Sequence, residues 1–230
     1  MKNIVIVGGS SGIGLRIAQM LSKENQIYAT YFQHETPEQS NIKYYKLDIT
    51  EDPPDFSFLP DKVDGLVYCP GSISLKPFKR IKPEEFISDY ELQLVGAVKT
   101  IQNVIPKMQT SSNASIVLFS TVAVQTGFNF HSLVAASKGA IEGLTRALAA
   151  ELAPKIRINC IAPSLTETPL SEQLLNSEDK KRANAERHPL KRIGTTDDIA
   201  QMSEFLLNEK SSWITGQVFK VDGGISSIKL

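Results

Sequence analysis

The segment Gly8-Gly9-Ser10-Ser11-Gly12-Ile13-Gly14 decides the fold of this chain. It follows the β-branched run from Ile4 to Val7, and the apolar residues from Ile13 to Leu21 have helical spacing. A strand, a glycine-rich turn and a helix in this order leave backbone N–H groups free at the positive end of the helix dipole. The segment therefore predicts a phosphate-binding turn, in which glycine is needed because Cβ atoms would block the ligand.

The alternation of strand and helix continues along the chain. Further strands are predicted at Ile27 to Tyr31, Ile42 to Leu47, Val63 to Tyr68, Ser115 to Phe119, Ile156 to Ile161 and Gln217 to Val221. Most of these runs are apolar without interruption, as is typical of parallel strands buried on both faces. Helical patterns are found at Pro83 to Met108, Leu133 to Leu152 and Asp197 to Leu207. We therefore predict an α/β fold: a single domain over residues 1–230, with a doubly wound parallel sheet of about seven strands and helices on both faces.

Two connections and one helix add detail to this prediction. The connections Gln33 to Asn41 and Asp52 to Lys62 contain four prolines and no helical period, so we expect extended crossovers. The helix Leu133 to Leu152 has two stripes of small or apolar residues, Ala135-Gly139-Gly143-Ala147 and Ala136-Ala140-Leu144-Leu148. One stripe is expected to face the sheet. The other faces either the same chain or a second subunit, which would make a homodimer or homotetramer through Pro83 to Met108 and Leu133 to Leu152.

The composition narrows the classes of function. The 25 Lys and Arg residues balance 25 Asp and Glu residues, so there is no basic excess to bind nucleic acid or an anionic membrane surface. No apolar run approaches the ~18 residues that a membrane-spanning helix needs. Cys69 and Cys160 lie far apart in apolar stretches, so neither a disulfide nor a metal site is expected, and the cytoplasm is the expected compartment.

Two other interpretations of the glycine segment stay open. Gly8 to Gly12 also fits the G-x-S-x-G elbow of α/β hydrolases, in which Ser10 would be the nucleophile. The available bases would be His34, His131 and His188. The position argues against a hydrolase, because such an elbow normally follows several strands and this one follows the first. A tight turn with a purely structural role is the third interpretation.

Several separate segments point to one family. They are Gly8, Gly12 and Gly14; Leu47-Asp48-Ile49-Thr50; Ala135-Ala136-Ser137-Lys138-Gly139-Ala140; Asn159-Cys160-Ile161-Ala162-Pro163; Glu167-Thr168-Pro169; Ile193-Gly194; Asp197-Asp198-Ile199-Ala200; and the stretch from Ile214-Thr215-Gly216-Gln217 to Val221-Asp222-Gly223-Gly224. With these motifs the chain resembles the short-chain dehydrogenase/reductase family from end to end, most closely its 3-oxoacyl-acyl-carrier-protein reductase branch. The resemblance implies a Rossmann-type fold and hydride transfer between NAD(P) and a small carbonyl or alcohol substrate.

The same resemblance implies the cofactor-binding residues. Asp48 would receive the adenine amino group, and Lys138 would hold the nicotinamide ribose. The full set is Gly8, Ser10, Ser11, Gly12, Ile13, Gly14, Asp48, Ile49, Cys69, Pro70, Gly71, Lys138, Pro163, Thr166 and Thr168. The second strand ends in Thr30-Tyr31-Phe32-Gln33, without the acid that NAD-selective members carry. NADP is therefore preferred over NAD, with Arg16 as the nearest cation to receive its extra phosphate.

The positions at which the chain differs from the family include those expected to take part in the reaction. The tyrosine expected four residues before Lys138 is Val134, so no phenol stands there to give a proton, a loss that costs ~10² to 10⁴ in rate. Thr121 aligns with the family's serine and is expected to orient a bound oxygen. Gln93 replaces the helix asparagine and is expected to keep a water link to Lys138. For Thr121 and Gln93 a purely structural role is the alternative. Ser164 replaces the glycine after Pro163.

Two side chains are candidates to replace the missing phenol. His131 lies three residues before Val134, and an imidazole with a pKa near ~6.5 suits proton exchange, although simple packing of the ring is the alternative. Tyr68 at the end of the fourth strand is a second candidate, and water is a third.

Two functions follow from these residues. The first is an NAD(P)(H)-dependent oxidoreductase with an atypical proton donor and the catalytic set Thr121, Lys138, His131 and Gln93. The second is a catalytically inactive nucleotide-binding protein with a binding or assembly role, which Val134 favours. The polar segment Leu165 to Arg192 matches the family's substrate loop and is expected to be mobile.

Overall fold

Seven parallel strands form one sheet. The computed structural model describes residues 1–33, 36, 37 and 39–229, so that His34, one of the bases considered above, lies outside the described residues. The strands are β1 (Asn3–Val7), β2 (Gln26–Tyr31), β3 (Ile42–Lys46), β4 (Gly65–Tyr68), β5 (Ala114–Phe119), β6 (Ile156–Pro163) and β7 (Val218–Val221). Their order is β3-β2-β1-β4-β5-β6-β7, and each neighbouring pair is parallel. The predicted fold class and all seven strands are confirmed.

The helices lie between the strands in the chain. They are α1 (Gly12–Leu21), α2 (Pro83–Tyr90), α3 (Gly96–Met108), α4 (Ser132–Leu152), α5 (Glu178–Arg187) and α6 (Thr196–Leu207). A π-helical turn, Glu91–Val95, joins α2 to α3, so the predicted helix Pro83 to Met108 is one continuous helical run. A 3₁₀ turn, Pro169–Leu174, follows β6.

The sheet separates two hydrophobic cores, and β1 contributes to both. Val5 and Val7 belong to the core that includes residues of α3 and α4, whereas Ile4 and Ile6 belong to the core that includes residues of α1 and α6. Because successive side chains of a strand point to opposite faces, a strand covered by helices on both sides is apolar at every position. This explains the uninterrupted apolar runs of the sequence.

The chain order puts a crevice at the carboxyl end of β1. The chain runs from β1 to β2 and β3 on one side and then crosses to β4 on the other side of β1. At the same edge of the sheet, Val7 pairs with Tyr68 and Pro163 pairs with Val221. In open parallel sheets the ligand site lies at such a reversal of strand order, outside the carboxyl ends of the strands. The glycine loop follows β1 at this point.

The segment Leu165 to Arg192, predicted to be a mobile substrate loop, contains the 3₁₀ turn and the helix α5, and its mobility stays a prediction. The N-cap of α5 is Ser177, whose side chain accepts a hydrogen bond from the Lys180 N–H at 3.3 Å. None of the ten residues of α5 is buried. A helix that buries no side chain has no apolar stripe, so its sequence lacks the periodic signal that identified the others.

The expectation that a small-residue stripe of α4 faces the sheet is wrong. The buried side of α4 consists of Leu133, Val134, Ser137, Lys138, Ile141, Glu142, Thr145 and Ala149. In the two predicted stripes, Ala136, Gly143 and Ala147 are exposed, and Leu144 and Leu148 are half-buried against the core. Burying Val134 and Ile141 removes more apolar surface from water than burying alanine and glycine, which favours the observed rotation of the helix.

The two proline-containing connections agree with their expectation. Asp52 to Lys62 contains no helix, and neither do the described residues between Gln33 and Asn41. Within the described part of the chain, no helix is long and apolar enough to cross a membrane. The same residues contain no group of three or more His, Cys, Asp or Glu side chains that could hold a metal ion.

Candidate active site

The glycine loop is fixed to β2 through Thr30. The Gly8 N–H donates to Thr30 Oγ1 at 3.0 Å, and the Gly9 N–H donates to the Thr30 carbonyl oxygen at 2.9 Å. Gly8 has a φ of +75°, and a Cβ at Gly14 would lie 2.1 Å from the Gly8 carbonyl oxygen. Glycine is therefore required at both positions, because the loop and the first turn of α1 contact each other backbone to backbone.

The first turn of α1 offers hydrogen-bond donors to an anion. Its N-cap, Ser11, makes no side-chain capping hydrogen bond, and the turn has no acidic residue. The N–H groups of Gly12, Ile13 and Gly14 have no acceptor within the helix and lie at the positive end of its dipole. A Cβ at Gly12 would lie 3.5 Å from Cβ of Thr168, so the segment after β6 covers the loop. This cradle fits the diphosphate of a dinucleotide.

The residues predicted to contact adenine and the middle of the cofactor follow β3 and β4. Asp48 Oδ1 accepts hydrogen bonds from the N–H and the hydroxyl of Thr50 at 2.9 and 2.6 Å, and Ile49 is buried. The Cys69 N–H donates to the carbonyl oxygen of the last residue of β1 at 2.9 Å. A Cβ at Gly8 would lie 3.2 Å from Pro70. The turn after β4 thus lies against the glycine loop.

The residues predicted to contact the nicotinamide follow β6. Pro163 ends this strand, and the Thr166 hydroxyl donates to the Ser164 carbonyl oxygen at 3.0 Å. Thr168 is the N-cap of the 3₁₀ turn, where its Oγ1 accepts a hydrogen bond from the Ser171 N–H at 3.3 Å. These local bonds hold the backbone of the segment over the edge of the sheet.

A cavity of about 310 Å³ lies at this edge. All four predicted catalytic residues line it, namely Gln93, Thr121, His131 and Lys138. Val134, at the position of the missing phenol, lines it as well, and so do the predicted cofactor residues Ile13, Cys69, Gly71, Pro163, Thr166 and Thr168. The structure thus brings the predicted catalytic residues and much of the predicted cofactor set to one space.

Gln93, in the π-helical turn, belongs to a buried polar network. Its Nε2 donates to both carboxylate oxygens of Asp89 at 2.8 Å and lies 3.2 Å from Ser137 Oγ. The Ser137 hydroxyl donates to Asp89 Oδ2 at 2.5 Å, and the Ser72 hydroxyl also donates to the Asp89 carboxylate. Every donor that a buried carboxylate needs is supplied by side chains within hydrogen-bond reach, so the network holds Gln93 in one orientation.

The amide oxygen of Gln93 faces the cavity side of this network. Gln93 Oε1 is buried and has no hydrogen-bond partner among the described residues. A Cβ at Gly71 would lie 3.6 Å from Gln93 Oε1 and 3.7 Å from Lys138 Nζ, so both atoms border the space next to Gly71. A buried acceptor beside an ammonium group is a site that a bridging water satisfies. The geometry is in keeping with the predicted water link between Gln93 and Lys138.

Lys138 is a buried cation at the base of the cavity. Burial lowers the pKa of its ammonium group from 10.5 to about 8, and the negative charge of Asp89 acts in the opposite direction. Burial raises the pKa of the neighbouring Cys160 thiol to about 12, so this thiol is neutral near pH 8. Asp89 is therefore the neighbouring anion that keeps Lys138 charged at neutral pH.

Thr121 and His131 each keep one polar atom available. Thr121 Oγ1 accepts a weak hydrogen bond from the Ala123 N–H at 3.3 Å, which leaves the hydroxyl hydrogen free to donate. His131 is the N-cap residue of α4, and its Nδ1 lies 2.7 Å from the Asn129 carbonyl oxygen. Because a carbonyl only accepts, Nδ1 carries a hydrogen, and Nε2 is the nitrogen left for proton exchange.

Two side chains with a predicted role in the site make other contacts in the structure. The Tyr68 hydroxyl donates to the Leu92 carbonyl oxygen at 2.6 Å inside the core, where burial raises the pKa of the phenol, and Tyr68 does not line the cavity. It is held by the π-helical turn and cannot replace the missing tyrosine. The Arg16 guanidinium forms an ion pair with Asp197 at 2.5 Å, so it is not a free cation for the extra phosphate of NADP.

A hydrogen-bonded pair in the cavity wall was not predicted from the sequence. Ser164 Oγ lies 2.9 Å from His188 Nε2, and His188 Nδ1 lies 2.8 Å from the Asn184 carbonyl oxygen. Nδ1 must carry the hydrogen, so the Ser164 hydroxyl donates to Nε2. The replacement of the family's glycine by Ser164 was the one sequence signal, but its partner lies 24 residues further along the chain.

Comparisons with known proteins agree with this geometry. A family model described as Enoyl-(Acyl carrier protein) reductase matches residues 56–226. A tropinone reductase homolog of Arabidopsis thaliana is 32% identical over an alignment of 242 positions, which covers 97% of this chain and 92% of the relative. A 3-oxoacyl-[acyl-carrier-protein] reductase of Thermotoga maritima is 36% identical over 165 residues, which cover 71% of this chain and 66% of the relative.

Solved structures share the whole fold. The structure of ElxO with NADP bound is 30% identical, with a TM-score of 0.89 over 99% of this chain and 100% of that chain. The ligand-free aldohexose dehydrogenase of Thermoplasma acidophilum is 27% identical, with a TM-score of 0.90 over 100% of this chain and 96% of that chain.

Proposed function

Because this chain belongs to the short-chain dehydrogenase/reductase family, we propose that it is an NAD(P)(H)-dependent oxidoreductase with an atypical proton donor. The substrate is a carbonyl compound or the corresponding alcohol. The observation that carries the proposal is the shared cavity, where Lys138 and Thr121 meet residues of the predicted cofactor site. The glycine loop and the first turn of α1 supply the cradle for the cofactor.

Each residue of the site has one task in this proposal. The bound cofactor supplies or accepts the hydride. Lys138 binds and orients the nicotinamide ribose, and Gln93 holds a water against Lys138 through its free Oε1. The Thr121 hydroxyl donates a hydrogen bond to the carbonyl oxygen of the substrate. His131 Nε2, or water in the cavity, gives the proton to that oxygen during reduction and takes it during oxidation.

NADP is the preferred cofactor in this proposal, and NAD is the alternative. The end of β2 continues into Phe32 and Gln33, so no carboxylate there repels a 2′-phosphate. The structurally similar ElxO was solved with NADP bound. Since Arg16 is paired with Asp197, we expect the preference for NADP to be modest.

The test is a kinetic screen beside a binding titration. Oxidation of NADPH and NADH is followed with a panel of ketones, quinones and 3-oxoacyl thioesters, and cofactor binding is measured directly. The proposal expects cofactor binding and turnover of at least one class of carbonyl compound, with loss of affinity in Lys138→Ala. Cofactor binding without turnover across the panel would contradict an oxidoreductase.

A second function is favoured by one observation, the aliphatic Val134 at the cavity wall. The protein would then bind the nucleotide and serve as a binding or assembly partner without catalysing a reaction. Turnover that appears in Val134→Tyr and is absent in the wild type would support this alternative.

We also propose a homodimer or homotetramer through the helical run Pro83 to Met108 and α4. The outward side of α4 includes the exposed small residues Ala136, Gly143 and Ala147, and a Cβ at Gly143 would have no atom within 4 Å. A second helix can approach such a surface closely. Light scattering after gel filtration is expected to give a multiple of the 25.3 kDa chain, and Ala147→Arg is expected to reduce it.

The cytoplasm is the proposed compartment. Cys69 and Cys160 are both free thiols, as a reducing environment would keep them. Fractionation of the cells that produce the protein tests this proposal.

A further inference from the structure

The charges in the cavity wall are all of one sign. Of the described residues that line the cavity, Lys138 and Arg187 are cations, and none is an aspartate or glutamate. The lining also includes two histidines, His131 and His188, neither of which carries a negative charge. Among the described residues, a ligand that fills this space therefore contacts cations and no carboxylate. The Asp89 carboxylate lies behind Gln93 and acts on Lys138, so Arg187 is the cation without an anionic neighbour in the described part of the chain and favours an anionic group.

Arg187 is the second cation that lines the cavity. It ends α5, and its guanidinium lies 5.8 Å from the ring centroid of Phe128, which holds it by a cation–π contact. Its only hydrogen bond among the described residues is a long one, 3.4 Å from Nη1 to Asn184 Oδ1. Within the described part of the chain, no carboxylate oxygen lies within 4 Å of its nitrogens.

Other arginines of the same region are neutralised. Arg182, on the same helix, pairs with Asp179 at 2.7 Å, and Arg192 pairs with Asp198 at 2.6 Å. Arg187 thus differs from Arg182 and Arg192 in having no carboxylate partner, and most of its guanidinium donors make no hydrogen bond to a described residue. A guanidinium fork binds a carboxylate or another planar oxyanion through two parallel hydrogen bonds.

The wall of the cavity that Lys138 and Arg187 line is largely apolar. It includes Ile73, Leu75, Phe128, Leu170 and Leu174. Ile73 and Leu170 are 41% and 53% exposed, which is high for large apolar side chains at a cavity. A ligand with an apolar body would cover them and gain the free energy of their removal from water.

We infer that the substrate is an oxo acid or hydroxy acid: an apolar body with the reacting carbonyl or alcohol at one end and a carboxylate at the other. The inference rests on the proposed function, because that function places the reacting carbon near Thr121 and Lys138. Arg187 binds the carboxylate and thereby sets which compounds enter in the reactive orientation. The diphosphate of the cofactor is a second anion that could bind Arg187. The experiment therefore measures the affinity for the cofactor as well as the affinity for the acids.

The experiment compares acids with their uncharged counterparts. The probes are 5-oxohexanoate and 4-acetylbenzoate, each beside its primary amide. Two quantities are measured for every probe: kcat/KM with NADPH, and the dissociation constant for the NADP-bound protein by calorimetry. The variants are Arg187→Gln, Arg187→Lys, which keeps the charge, and the matched control Arg182→Gln from the same helix.

The wild type and Arg182→Gln are expected to favour the acids over the amides by about tenfold or more, as expected for a charge-assisted hydrogen bond. Arg187→Gln is expected to lose this preference, Arg187→Lys to keep part of it, and NADPH affinity to stay unchanged in all variants. Equal binding of acid and amide by the wild type, or a preference that survives in Arg187→Gln, would overturn the inference. A weaker affinity of Arg187→Gln for NADPH would assign Arg187 to the cofactor instead.

The outcomes also separate this inference from the proposed function. Turnover of acids and amides with equal kcat/KM keeps the oxidoreductase and removes the oxyanion site. Binding of the acids through Arg187 without turnover of any probe or panel compound keeps the oxyanion site and removes the oxidoreductase.

Discussion

The side-chain amide of Gln93 donates to both carboxylate oxygens of Asp89, at 2.8 Å each, from one helical turn further along the same run. A carboxylate only accepts hydrogen bonds, so Nε2 must face Asp89 and Oε1 must face the other way. Oε1 thus points toward the space that borders Gly71 and Lys138. Asp89 is in this sense a positioning residue for the water site of the cavity.

Removal of the Gln93 amide is expected to destabilise the fold. Gln93→Met keeps the volume but takes a donor from the buried Asp89 carboxylate, which should lower the free energy of unfolding by about 1–3 kcal/mol. Urea denaturation measures this change. The control is Gln102→Met, at an exposed position of α3, for which we expect no change beyond about 0.5 kcal/mol. Equal free energies of unfolding for Gln93→Met and the wild type would show that the hydrogen bonds from Gln93 to Asp89 do not stabilise the fold.

Lys138 makes the free energy of unfolding depend on pH in the alkaline range. Its pKa is about 8 in the folded protein and near 10.5 in the unfolded chain, so the folded state binds fewer protons between these values. The free energy of unfolding therefore rises with pH across this window, by about 3 kcal/mol at most, and the gain is lost as pH falls through 8.

Lys138→Met is expected to remove this rise, whereas Lys23→Met, at an exposed position after α1, should leave it in place. Urea unfolding from about pH 7 to about pH 10 gives the profiles, and the difference between variant and wild type isolates Lys138 from the other titrating groups. Parallel profiles for Lys138→Met and the wild type would mean that this lysine is not buried as described.

Restoring the phenol is expected to raise turnover. Val134→Tyr places a hydroxyl in the cavity beside Lys138, and a restored general acid is worth ~10² to 10⁴ in kcat. Val134→Phe is the matched control, because it adds the same ring without the proton. A phenylalanine variant as fast as the tyrosine variant would assign the gain to packing.

His131 is expected to contribute to proton delivery in the wild type. His131→Ala should reduce kcat at least about tenfold, because its ring lines the cavity as a proton donor, and should leave cofactor affinity unchanged, because His131 is not among the predicted cofactor-binding residues. Asn129→Ala, two residues earlier, keeps the backbone carbonyl that orients the ring and should have wild-type kcat. An unchanged kcat in His131→Ala would leave water as the proton donor.

Periodic patterns in the sequence made most of the fold predictable, and the spacing of family motifs made several residues of the candidate site predictable. The strands were visible because β1 and its neighbours are covered on both faces. Lys138 was found by the family motif around it, and Val134 and Thr121 by their spacing from Lys138. The helix α5 buries no residue, and the π-helical turn changes hydrogen bonding without changing the apolar pattern.

Contacts between distant residues were the part that the sequence did not predict. Asp89 meets Ser137 across 48 positions of the chain, and Ser164 meets His188 across 24. Nothing in the local sequence around Asp89 indicates a buried acid, because a carboxylate on a helix is usually exposed. Only the packing of α2 against α4 reveals its role beside Lys138.

A fluorescence titration of the purified protein with NADPH tests the central claim most directly. The cradle at Gly8 to Gly14 predicts saturable binding with a dissociation constant below about 1 mM, and weaker binding in Lys138→Ala. Absence of any binding of NADPH, and of NADP and both forms of NAD measured by calorimetry, at about 1 mM would contradict the account.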